Sequence, residues 1–181
     1  MSLIQYYSSQ CGIASNHSCD PCAALEAARV RSVAIISVDW AFSDPTDPAE
    51  WHAGIEAGMI VIIPETSGDF DGGTAKTITG FGDTPEQNLT YNFKLTYRDP
   101  NYSGNAPFYN SLMFNRNWLV AFRSDTLLHI ADKPAVFKPK AQIPDDPQGI
   151  VIWEVECNWI SKILPAPVQI PAGIFSCFTV E

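Results

Sequence analysis

Leu89-Thr-Tyr-Asn-Phe-Lys-Leu-Thr-Tyr97 is the stretch that decides the fold. Leu89, Tyr91, Phe93, Leu95 and Tyr97 alternate with Thr90, Asn92, Lys94 and Thr96. Successive side chains of an extended chain point to opposite faces, so this period of two marks a strand with one face for a core and one for water. A helix would scatter the same apolar residues around its axis.

On the N-terminal side, Ser32-Val-Ala-Ile-Ile-Ser-Val-Asp-Trp40 is a β-branched run of strand length, and Met59-Ile-Val-Ile-Ile-Pro64 reads as a buried strand. Between them the spacing predicts a helix over Pro48 to Ala57. Asp47 can cap it, Pro48 suits the first helical position, Glu50 follows three residues after the cap, and Gly58 supplies the stop. Trp51 and Ile55, at i and i+4, would share one face of it. Glu65 to Gly73 is rich in turn residues, and Thr74 to Gly82 reads as a hairpin arm or long loop.

On the C-terminal side, Asp99-Pro-Asn is a turn, and Asn105 with Pro107 two residues later predicts a second short helix reaching Phe114. Trp118 to Arg123 and Thr126 to Ile130 flank Ser124-Asp125 at hairpin spacing. Ala135 to Lys140 is a strand that Pro139 confines to a sheet edge, and Ile150 to Trp159 is a long late strand. Leu164 to Pro171 carries too many prolines for an interior strand and should run extended over a surface. The sum is a mainly β chain: an antiparallel β-sandwich or barrel with one or two short flanking α-helices and extended termini. One domain spans 1–181, with an N-terminal arm at 1–24, a long loop or hairpin arm at 65–82 and an extended tail at 164–181.

Composition agrees. A chain of 181 residues that is 46% hydrophobic and 17% charged can bury one core, and 14 prolines favour many short elements over long helices. The net charge of −9 argues against clamping nucleic acid through its phosphates, and the eleven basic residues read as scattered. No apolar run approaches the ~20 residues of a membrane span, so no membrane partner is expected. The start of the chain has neither a basic segment nor an apolar core of a signal, which predicts synthesis in a cytoplasm and leaves the sequons at Asn16, Asn88 and Asn101 without a glycosylating compartment.

Constellations that carry chemistry are incomplete. Cys11, His17, Cys19 and Cys22 include one Cys-x-x-Cys pair, which is half of a zinc site without a second pair at matching spacing, so plain thiols outweigh metal ligation or a disulfide. Asp69 and Asp71 open like a calcium loop, but the position that needs a bidentate carboxylate is Gly80. His17, His52 and His129 sit in no nucleophile motif, and Asp44, Asp47, Asp145 and Asp146 stand beside prolines where capping and turn roles suffice. No catalytic residue and no cofactor is expected. The five tryptophans, at 40, 51, 118, 153 and 159, read as core or interface anchors ahead of a sugar platform.

The helix Pro48 to Ala57, the loop Glu65 to Gly82, the strand Leu89 to Tyr97, the helix Asn105 to Phe114, the hairpin Trp118 to Ile130 and the late strand Ile150 to Trp159 together resemble bacteriophage tail-tube and related tail or virion structural proteins, especially of phages of gut Bacteroidetes. The resemblance is one of architecture, with scattered Gly-Phe-Gly and Asp-Pro-Asn elements, over about two thirds of the chain. It implies a non-enzymatic virion subunit, made in the bacterial host cytoplasm, that assembles into homo-oligomeric rings with other virion proteins around a conduit through which DNA passes without sequence-specific binding. The cysteine-bearing arm at residues 11–22 is not carried over from that resemblance. On this reading Phe70, Phe81, Leu164, Val168 and Ile170 are interface residues, buried by neighbouring subunits rather than by their own core. The alternative is a β-sandwich module that binds a glycan or another surface ligand.

Overall fold

Ser32–Ser37 forms β1, and all six of its residues are buried. A strand buried on both faces must have a layer on each side, and the computed structural model, which describes residues 29–80, 82–83, 85–146 and 148–175, shows both layers. Val33 and Ile35 point into an inter-sheet core, while Ala34 and Ile36 point to a second apolar layer on the opposite face.

Ten strands make two antiparallel sheets. The first has the order β10 (Pro167–Gln169), β7 (Leu127–Ile130), β6 (Trp118–Arg123), β1 and β2 (Ile60–Ile63). The second has the order β3 (Ser67–Phe70), β5 (Gln87–Asp99), β9 (Ile152–Ser161) and β8 (Val136–Gln142), with β4 (Thr74–Ile78) also paired to β5. The expected sandwich is therefore the architecture, and no barrel closes among the described residues. Phe93, Leu95 and Tyr97 of β5 and Trp153, Val155, Cys157 and Trp159 of β9 face Val33, Ile35, Val120 and Phe122 across the inter-sheet core.

Two helices close the open flanks. Helix α1 (Pro48–Glu56) has the expected cap, with Asp47 accepting from the Ala49 amide at 2.9 Å. Trp51 is completely buried, donates its indole N–H to the Pro45 carbonyl at 2.8 Å, and packs on Phe42 and Phe175. The other buried residue of the helix is Gly54, whereas Ile55 is exposed. The reason is proximity: a methyl group at Gly54 would collide with Ile60 and come within 3.0 Å of Trp40, so the helix lies too close to β2 for a larger side chain there.

Helix α2 (Tyr102–Leu112) begins three residues before the expected Asn105 cap. Asp99, buried at the end of β5, gathers the Asn101 amide at 2.8 Å, the Asn105 side-chain amide at 2.6 Å and the Tyr109 hydroxyl at 2.7 Å. These donors, from the helix start and its first two turns, fix where the helix begins and leave Pro107 inside it. Burial is the main cause that raises the Tyr109 phenol well above its ordinary range, followed by its bond to Asp99.

The segment read as turn-rich contains β3. Ser67 to Phe70 pairs with Arg98 to Leu95, and Thr74 to Ile78 continues along the same edge of β5. Asp71, Gly72 and Gly73 oppose only Phe93 and Lys94 between those registers, so the two strands are one line broken by a bulge. Gly72 and Gly73 take φ of 76° and 88°, a backbone region where side chains are strained.

Two stability changes follow. Replacing Gly54 by alanine gains up to about 1 kcal/mol of helix propensity but overpacks the α1–β2 contact by about 1–3 kcal/mol, so a lower urea midpoint is expected at unchanged slope. Replacing Tyr109 by phenylalanine removes a hydrogen bond to a charged group and should cost about 1.5–3 kcal/mol in the same measurement.

Candidate functional site

The chain has five arginines, at 29, 31, 98, 116 and 123. All but Arg116 line one cleft of about 760 Å³ at the end of the sandwich. The basic residues that read as scattered along the chain are thus partly gathered by the fold, which corrects the sequence reading. The cause is topological. In antiparallel pairs the start of one strand lies beside the end of its neighbour, so Arg31 before β1 meets Arg123 at the end of β6, while Arg98 near the end of β5 lies opposite Glu154 near the start of β9.

The two sheets are stitched together along this cleft. The Arg31 amide donates to the Arg123 carbonyl and the Thr66 amide to the Arg31 carbonyl, both at 2.8 Å, and Val30 bridges to Gly68 of β3. Glu65, on the wall, is the one described non-glycine residue with positive φ, at 52°. Pro100, Ile150, Ile152 and Phe175 form an apolar side.

The guanidinium groups are unequally engaged. Arg31 pairs with Asp125. Arg98 reaches Glu154 at 3.4 Å, with more than half of its side chain exposed, a pairing worth little in water. Arg123 donates through Nη1 to the Phe175 carbonyl at 3.4 Å, and its buried Nε has no hydrogen-bond partner. The buried Thr66 hydroxyl also lacks a partner, while the Ser32 hydroxyl donates to the Phe175 carbonyl at 3.3 Å.

A second cavity, of about 620 Å³, lies near the other end of β5 and β9 and is lined by Asn92, Phe93, Asn158 and Trp159 together with Lys133 to Val136. The Asn92 side-chain oxygen is buried and unpartnered here, and the Trp159 indole N–H is unpartnered on the core side of the same sheet. Trp51, Trp153 and Trp159 are core residues, and Trp40 and Trp118 are half-buried, so none stands out as an exposed platform.

The residues singled out from sequence separate widely. Cys11, His17, Cys19 and Cys22 lie outside the described residues, as does Phe81. Among the described residues no group of three His, Cys, Asp or Glu side chains could hold a metal. His129 stacks on Phe122 at 4.9 Å, and His52 is exposed on α1. Asp44 accepts from Thr46, and Asp146 accepts from the Gln148 amide, so both serve turns.

Phe70, expected to be covered by neighbouring subunits, instead stacks on Phe93, Phe122 and Trp159 of its own core. Val168 and Ile170 are likewise half-buried against the layer beneath α1, because β10 pairs with β7 and carries them there. These are corrections: strand pairing, invisible in the local sequence, folds both segments onto their own domain. Leu164 is 55% exposed.

The outer face of the second sheet carries a charge ladder. Glu156 on β9 lies between Lys94 on β5 at 2.8 Å and Lys138 on β8 at 3.4 Å. Hydrogen bonds from Lys94, then from Asn158, hold its carboxyl down at about 2. No family model, no curated protein and no solved structure matches the chain.

The lowered Glu156 carboxyl sets a pH dependence. Its stabilising contribution is complete above the ordinary carboxylate value of 4.5 and is lost as pH falls toward about 2. Solvent screening limits it to about 1 kcal/mol. The difference in urea midpoint between the native protein and Glu156→Gln should therefore be present at pH 7 and close across that acid window.

Proposed function

We propose that this chain is a non-enzymatic structural subunit that works by assembling with copies of itself, a virion component of the phage tail or tail-tube type. The observation that supports the reading is the arm made by β4 and the first half of β5. Every residue of β4 is exposed, and so are Gln87, Asn88 and Leu89 of β5, with Ile78 and Leu89 more than half exposed. A two-stranded ribbon is marginal in water on its own, and its outer edge offers unpaired N–H and C=O groups to another strand.

The sheet edges differ in how they are guarded. β8 carries Lys138, Pro139 and Lys140, which obstruct strand addition, while β4 has Lys76 alone. A neighbouring copy adding a strand at β4 would order the arm and cover Ile78 and Leu89. The net charge of −9 suits a conduit that touches DNA only by repelling it.

A second reading, a β-sandwich module that takes a glycan or another polar surface ligand, is favoured by one observation. The cavity lined by Asn92 and Asn158 holds a buried acceptor, the Asn92 side-chain oxygen, that finds no partner among the described residues.

Light scattering coupled to size exclusion, with negative-stain imaging of the same fractions, separates the two. Rings, stacked tubes or a discrete large oligomer are expected, and Ile78→Asp with Leu89→Asp should reduce them to monomers without lowering the urea midpoint, because both side chains are exposed in the single chain. A native protein that stays at 19.9 kDa at every concentration would sink the assembly reading.

A further inference from the structure

We propose that the arginine-lined cleft is a binding site for a small oxyanion carrying at least two negative charges, of the phosphate class. The inference is independent of assembly, since every residue that carries it belongs to one chain.

Charge is the first argument. In a chain of net charge −9 with eleven basic residues, four arginines meet at one cleft whose lining acids are Glu65 and Asp125. The local balance is positive within an acidic molecule, so the cleft is where an anion is attracted. Arginines lining one cleft raise its positive potential, and an oxyanion bound there is stabilised by it.

Geometry is the second. The Thr66 hydroxyl and the Arg123 Nε are buried donors without partners, and both residues line this cleft. Buried donors left unpaired are costly, and phosphate oxygens accept from hydroxyl and guanidinium N–H alike. Arg31 and Arg98 hold their carboxylates at the exposed rim, where exchange of Asp125 or Glu154 for a stronger dianion costs little. Glu65 at φ 52° lies immediately before Thr66, and strained backbone of this kind gathers at ligand sites.

Size and polarity then choose the kind of ligand. A volume near 760 Å³ falls in the range of clefts that enclose small organic molecules, and Ile150, Ile152 and Phe175 add apolar lining beside the arginines. A phosphate carried on an organic body fits that pairing of surfaces better than the bare ion. A nucleic-acid backbone does not, because it would need an extended basic track on a chain that is acidic overall.

The test is calorimetric titration of the full chain with inorganic pyrophosphate and, separately, with ADP, at constant ionic strength set by chloride. Saturable one-site binding is expected. Arg98→Gln, an exposed side chain whose loss spares the core, should weaken it by roughly tenfold, and the double variant with Arg123→Gln by more. Lys138→Gln, on the outer sheet face, should leave it unchanged. Tighter binding of ADP assigns the site to an organic phosphate, and equal binding to the inorganic ion. Absence of saturable heat with both probes, or equal affinity in the native protein and in Arg98→Gln, would overturn the proposal.

Discussion

The two-sided burial of β1 is the constraint on which the rest of the molecule depends. Six consecutive residues with no exposed face leave no solvated side to the first sheet along β1, an interior strand. Val33 and Ile35 therefore need the second sheet, and Ala34 and Ile36 need α1 and the segment at Ile174 and Phe175. Each fully buried aliphatic side chain here contributes about 1.5–3 kcal/mol. The sandwich and its helical cover are thus two answers to one strand's demand for apolar neighbours.

The same strand positions the arginine-lined cleft. Its antiparallel pairing with β6 brings Arg31 beside Arg123, and the bonds from its leading residues to Thr66 and Gly68 draw the edge of the second sheet against it. The cleft is the gap left where two sheets converge on that seam. At the far side of the second sheet, β5 runs on beyond the region that the first sheet covers, and its free length becomes one half of the exposed arm. Cleft and arm are consequences of sheet geometry.

Polar groups show a division of labour. Asp99 is buried and fully occupied, and it fixes helix α2. Glu156 is more exposed and ties three strands across a wet face, as a negative residue between two lysines. Six buried groups among the described residues lack a partner: Thr66 and Arg123 belong to the lining of one cavity and Asn92 and Trp159 to that of the other, while the Trp40 indole and the Tyr97 hydroxyl lie at neither. Native interiors pair nearly all of their buried polar groups, so orphans that share a cavity wall point to ligands more directly than any single exposed residue does.

What the sequence determined by itself was the set of strong local elements. Alternation at Leu89 to Tyr97, the β-branched run at Ser32 to Ser37, the Asp47 cap with Pro48, and the proline that keeps Ala135 to Lys140 at an edge were all legible, because side-chain period, capping chemistry and the missing proline N–H act within a few residues. β3 was not legible, since Ser67 to Phe70 is a strand only because β5 offers it a partner. The start of α2 was set by Asp99, a buried carboxylate whose reach to Asn105 and Tyr109 exists only once β5 has ended beneath the helix. Phe70 and Ile170 looked like residues for a neighbour until strand pairing delivered them to their own core. The arginines lie between 2 and 94 positions apart along the chain. Their convergence was decided by tertiary structure alone, because only antiparallel registry places the end of one strand beside the beginning of another.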